Sequence, residues 1–169
     1  CLDLFAKHYK TNESIPVEYI QKIKKSVNFM AGLGIIRQIG LGRIDMTYHA
    51  VSANDELLKS KIKDIETKAL TGLDFYPPVK QTITSASFSH IFQGGYSSGY
   101  YSYKWAEVLD ADAFEAFVEN GVFDQETANS FKENILSAGG SEHPSILYKR
   151  FRGRDANPDA LLKRAGLVK

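Results

Sequence analysis

A chain of 169 residues, 43% of them hydrophobic, is long enough to bury a real core. Its 21 basic and 20 acidic side chains leave a net charge of +1, which excludes a broad polyanion-binding field, so no nucleic-acid partner is expected. A single cysteine, Cys1, excludes a disulfide within the chain, and no apolar run approaches membrane-spanning length, so no membrane partner is expected.

The elements read in chain order are almost all helical. Pro16 is suited to the first turn of a helix over 16–29, with Ser14 or Ile15 near its cap and Tyr19, Ile20, Ile23 and Val27 as apolar positions. Lys22, Lys24 and Lys25 then form the solvated face. After Gly32 and Gly34, a helix over 35–50 places Ile36, Ile39, Ile44 and Tyr48 on one side, and Gly40 and Gly42 require tertiary packing to support it. A third helix runs from Asn54 or Asp55 to Leu70, setting Leu57, Leu58, Ile62, Ile65 and Ala69 against a charged outer face. Pro77 and Pro78 forbid its continuation. Residues 71–95 are the longest stretch without a helical pattern, and within it 82–88 alternates Thr and Ile as a short extended piece.

Helical character returns from Ser97, with Tyr101, Trp105, Val108, Leu109, Phe114 and Phe117 as the side to bury. Asp124 opens the next helix, which carries Phe131, Ile135 and Leu136 and ends at Gly139 and Gly140. Ser141 and Glu142 cap a short helix from Pro144 that buries Ile146, Leu147 and Phe151. The last helix begins near Asn157 and Pro158 and uses Leu161, Leu162 and Leu167. The expected fold is mainly α, a single helical domain over 1–169 with one long glycine-rich loop, its functional part at about 71–99.

That loop holds the most informative residues. Gly94, Gly95 and Gly99 tolerate unusual backbone conformations and close approach, and between and after them come Tyr96, Tyr100 and Tyr103. Steps of four, three and four residues put Tyr96, Tyr100, Tyr103 and Glu107 on one helical face. Phenols donate hydrogen bonds without charge at neutral pH, so the row suits either a developing oxyanion or a peptide backbone. Tyrosines at helical spacing also serve as half-buried packing residues. His90, just upstream, reads either as a functional group or as a core histidine bonded to a backbone carbonyl. His8 and His49 read as structural, and His143 as a surface loop residue.

The run from Phe88 to Phe114, containing Phe-Ser-His-Ile-Phe-Gln-Gly-Gly-Tyr and Gly-Tyr-Tyr-Ser-Tyr-Lys-Trp-Ala-Glu-Val-Leu-Asp-Ala-Asp-Ala-Phe, resembles the C-terminal signature of the thimet oligopeptidase, oligopeptidase A and peptidyl-dipeptidase family of zinc metallopeptidases. The stretch 5–16 and the closing stretches 139–144 and 151–162 resemble the same family in the same order, so the likeness covers the whole chain. Lys104 stands where relatives commonly carry an apolar residue, which points to a more exposed helix turn; the Gln93 position also varies among relatives.

The resemblance implies a C-terminal helical lobe of a zincin-type oligopeptidase that hydrolyses short peptides. Tyr103 would donate to the oxyanion and His90 would contact substrate or steady the transition state. Tyr96 and Tyr100 would bind substrate backbone or assist that donation, and Gly94, Gly95 and Gly99 would let the loop move.

Zincins hold their metal with His-Glu-x-x-His and a later glutamate, and no two of His8, His49, His90 and His143 have that spacing. In the family both zinc-binding helices lie before the segment that matches Cys1, so the resemblance implies zinc bound upstream of Cys1, no metal ligand in this chain, no activity of the chain alone, and the N-terminal catalytic portion of the same protein as its partner. No signal-peptide pattern opens the chain, and a cytoplasmic location is expected. The alternative is a stand-alone helical module that binds peptides or serves as a scaffold without chemistry.

Overall fold

The computed structural model describes every residue except Ala53, Pro78 and Lys169, and the side chains of all the others except Asp3 and Leu58. The expectations for Leu58 as an apolar position and Pro78 as a breaker lie outside the described residues. The described residues form eight α-helices, short 3₁₀ turns and one isolated antiparallel bridge between Lys7 and Ser14. The fold is thus mainly helical, as its apolar periodicity predicts.

The first two helices are α1, Leu2–Phe5, and α2, Val17–Val27. Pro16 sits at the N-cap of α2 rather than in its first turn, and no residue of α2 is buried. Its lysines are solvated, but so are Tyr19, Ile23 and Val27, the positions expected to face a core.

Helix α3, Ala31–His49, starts earlier than the glycines suggest and runs through Gly32 and Gly34. Gly40 explains the packing: a Cβ there would lie 3.0 Å from Leu70 Cδ2, so its absence lets α3 close on α4, Ile62–Leu70. The expected helix from Asn54 or Asp55 is broken in two. Asp55 accepts the Leu57 N–H at 2.8 Å and starts a 3₁₀ turn, Glu56–Lys59, and the extended backbone of Ser60 and Lys61 separates it from α4.

The segment 82–88 is not extended; two 3₁₀ turns, Ser85–Ser87 and Ser89–Ile91, carry Phe88 and Ile91 into a core with Ile44 and Ala69. Phe88 and Ile91 bury their apolar area in this core, and folding the backbone tightly is what delivers both.

Helix α5, Ser102–Asn120, begins five residues later than the sequence suggests. Of its expected apolar side only Val108 is buried, and it packs with Ala111; Ala113 and Ala116 are also buried, while Tyr101, Trp105 and Phe114 stay exposed. Small residues win because α8, Asp159–Arg164, packs closely through Ala160 and Leu161.

Asp124 caps α6, Gln125–Phe131, by accepting the Thr127 N–H at 2.7 Å, and the chain continues through a π-turn, Lys132–Leu136, to Gly139 at φ +51°. His143, not Ser141 or Glu142, caps α7, Pro144–Arg152, because its Nδ1 accepts the Ser145 N–H. Phe131 and Phe151 meet edge to face at 5.2 Å. Leu136, Ile146 and Leu167, expected inside, are exposed.

Candidate functional site

Two buried carboxylates hold the chain between α4 and α5. Glu66, assigned by its pattern to a charged outer face, is 3% exposed and accepts the N–H groups of Thr84 at 2.8 Å and Ser85 at 2.7 Å. Asp45 is fully buried on α3; its Oδ1 accepts the Ser98 N–H and its Oδ2 the Tyr100 N–H, each at 2.9 Å. His49 Nδ1 lies 2.9 Å from the same Oδ1, one helical turn along. The structural reading of His49 follows, since its ring completes the donor set of a buried anion. Neither carboxylate was marked by sequence reasoning. The available signal was Asp45 four residues before a histidine, beside Ile44 on the apolar side of a helix.

Asp45 also explains why α5 starts late. Ser98 adopts a left-handed conformation at φ +57°, uncommon for a residue with a side chain, in the turn that aims the Ser98 and Tyr100 N–H groups at the carboxylate. The helix cannot propagate back through that turn. Tyr96 and Tyr100 therefore precede α5 instead of lying on it.

The phenols nevertheless converge. The Tyr96 ring stacks on that of Tyr103 at 5.0 Å and 26°, and Tyr100 lies 5.1 Å from Tyr103. His90 faces both Tyr96 at 6.2 Å and Tyr100 at 6.3 Å, and Phe88 supports Tyr100 edge to face at 4.8 Å. The Tyr100 hydroxyl donates to Gln38 Oε1 at 3.2 Å. Glu107 follows Tyr103 by one turn of α5. It pairs with Lys104 Nζ at 2.6 Å; Lys104 is half-buried, while Ser102, Tyr103, Trp105 and Ala106 around it are exposed.

His90 is exposed, with no hydrogen bond to its ring among the described residues, so it is not a core histidine bonded to a carbonyl. Gly94 and Gly95 take φ of +88° and +87° at an exposed turn with open space where a Cβ would be; Gly99 closes the next turn by donating to Tyr96 at 2.8 Å. His8 is exposed in a turn with Thr11, and His143 is exposed at its cap.

Tyr103 is 40% exposed. The adjoining Tyr96 hydroxyl, then partial burial and the Tyr100 phenol, raise its pKa above the ordinary tyrosine value, although no well-formed hydrogen bond joins the two hydroxyls. Tyr103 therefore keeps its proton at neutral pH and remains a donor. Beside it, a groove of about 530 Å³ runs between α3 and the start of α5, lined by Ile39, Gly42, Met46 and Tyr101. The arrangement offers neutral donors and an accessible imidazole along one open face. No group of three or more His, Cys, Asp or Glu comes together as a metal site among the described residues, and no helix there is long and apolar enough to cross a membrane.

The model of peptidase family M3 matches residues 1–167. The chain is 44% identical over 166 residues to oligopeptidase A of Escherichia coli (strain K12), covering 98% of this chain and 24% of that protein. It is 40% identical over 169 residues to the organellar oligopeptidase A of Arabidopsis thaliana, covering 96% of this chain and 21% of that one. Against the dipeptidyl carboxypeptidase of Escherichia coli (strain K12) it is 32% identical over 164 residues, again 96% of this chain and 24% of the relative. The chain thus spans about a quarter of the length of these curated relatives. With a match from its first residue to its third from last, the chain belongs to peptidase family M3.

Proposed function

We propose that this chain forms one wall of the substrate channel of a zinc-dependent oligopeptidase or peptidyl-dipeptidase acting on short peptides, and that Tyr103 is its catalytic donor. The observation that carries the reading is the convergence of Tyr96, Tyr100, Tyr103 and His90 on one open face, on a backbone pinned by a buried carboxylate. Among the described residues no three His, Cys, Asp or Glu side chains come together to hold a zinc ion, so in this reading the metal would be held elsewhere in the complete protein and no step here runs through it.

In peptide hydrolysis the carbonyl oxygen gains negative charge as water adds. A protonated phenol aimed at that oxygen stabilises the transition state more than the ground state, and one such donor is worth on the order of 3 kcal/mol. Tyr103 takes this role, with Tyr96 and Tyr100 holding the substrate backbone and His90 contacting substrate. Gly94, Gly95 and Gly99 give the loop room to move as peptide enters. The other partner is the rest of the same protein, supported by the apolar side of α2 and by Trp105 and Phe114, which stand exposed without a cover. A cytoplasmic location belongs to the same proposal.

The complete protein should cleave a short internally quenched fluorogenic peptide and lose that activity to a chelator, while the isolated 169 residues should do neither. Cleavage by the isolated chain, or chelator-resistant cleavage by the whole, would overturn the reading.

A further inference from the structure

We propose that Asp45 is a positioning residue for the tyrosine site, fixing the hydroxyl donors by holding the backbone from which they project; this rests on the role given above to Tyr103. A buried carboxylate is strongly unfavourable unless its lone pairs are filled. Asp45 meets no lysine or arginine among the described residues, and its hydrogen-bond donors are the Ser98 N–H, the Tyr100 N–H and the His49 ring. Moving residues 98–100 away would leave a buried anion with the imidazole alone.

The pinned point lies immediately upstream of α5, so it sets where the helix begins and hence where Tyr103, three residues after Tyr100, directs its ring. Tyr100 is held at both ends, by Asp45 through its N–H and by Gln38 through its hydroxyl. Asp45 does not touch Tyr96, whose carbonyl accepts the Gly99 N–H and whose ring stacks on Tyr103. The site therefore divides into a fixed pair, Tyr100 and Tyr103, and a third phenol whose backbone Asp45 does not hold.

The test is a double-mutant cycle in the complete protein. Asp45→Asn keeps the size of the side chain but replaces one acceptor oxygen by a donor, so at least one of the three partners is lost. A displacement of about 1 Å at a reacting group can lower a rate on the order of 100-fold, and Asp45→Asn should lower kcat at least about tenfold with KM nearly unchanged. Adding Tyr103→Phe to Asp45→Asn should then cost less than Tyr103→Phe costs alone. An undiminished kcat in Asp45→Asn, or a Tyr103→Phe penalty equal in both backgrounds, overturns the positioning role. If Tyr103→Phe alone leaves kcat unaltered, it is the catalytic reading that fails.

Should Asp45→Asn not fold, amide hydrogen exchange of the unmutated protein decides. The Ser98 and Tyr100 amides should exchange at least about 100-fold more slowly than those of Gly94 and Gly95, as expected where local opening is suppressed. Equal rates overturn the proposal.

Discussion

At the scale of single residues, the chain's buried charges do most to fix geometry, and they were the least legible in the sequence. Asp45, Glu66 and Asp112 are each surrounded in sequence by residues compatible with either an inner or an outer helix face, and a carboxylate is expected outside by default. Asp112 accepts from the Tyr148 hydroxyl at 2.7 Å and Arg154 at 2.6 Å, with Arg152 Nε 3.5 Å away. Burial alone would raise its pKa, but Arg154 and Tyr148, then the two guanidinium charges, outweigh that and hold it below the ordinary 3.8. Burial, followed by the bond to Asp112, pushes the Tyr148 phenol well above its ordinary range.

The sign of the resulting pH dependence follows. A carboxyl with a depressed folded pKa contributes stability above its unfolded value and loses it as pH falls through the folded one. Protection of the α5 amides should thus weaken as pH drops below about 3.8. In Asp112→Asn the α5 amides should be less protected at neutral pH and should show a shallower acid dependence, read by hydrogen exchange from pH 6 to pH 2. Gly40 gives a second prediction at this scale. With Leu70 3.0 Å from where a Cβ would be, Gly40→Leu should destabilise the α3 and α4 pair by about 1–3 kcal/mol, measured by denaturant unfolding.

At the scale of elements, what could be read was governed by local chemistry and what could not by contacts distant in sequence. The capping role of Asp124, the turn at Gly139 and the buried apolar residues Ile44, Ile65 and Leu147 follow from patterns within a few residues. Asp124→Ala should accordingly cost about 1 kcal/mol of α6 stability, visible as faster exchange of the Thr127 amide. The start of α5 could not be read this way, because a carboxylate more than fifty residues upstream imposes the turn at Ser98. The 82–88 segment failed for the same reason: Thr and Ile alternate as in a strand, but Glu66 takes the Thr84 and Ser85 amides that a strand would pair. Helix α3 was shortened in prospect by treating Gly32 and Gly34 as breakers, whereas packing outweighs a propensity cost of about 1 kcal/mol each.

At the scale of the whole molecule, many of the buried apolar residues among those described gather in two clusters. One, around Ile44, Phe88 and Ile91, supports the tyrosine face, and the other joins α5 to α8. The apolar surface left open on α2 and on the outer side of α5 is far from the usual habit of single buried cores, and it agrees with a chain that spans about a quarter of its relatives. The site itself was legible in part. Its residue types and order pointed to Tyr96, Tyr100, Tyr103 and His90, whose rings the structure brings together, while the assumption of one continuous helix gave the wrong route to that convergence.

The central claim is that Tyr103 donates a hydrogen bond in the transition state of peptide hydrolysis. The kinetics of Tyr103→Phe in the complete protein, on a short fluorogenic peptide, test it most directly. The account predicts a kcat lower by at least about tenfold with KM nearly unchanged, because the bond is made to charge that exists only at the transition state. A Tyr103→Phe enzyme with the kcat of the unmutated protein would contradict it.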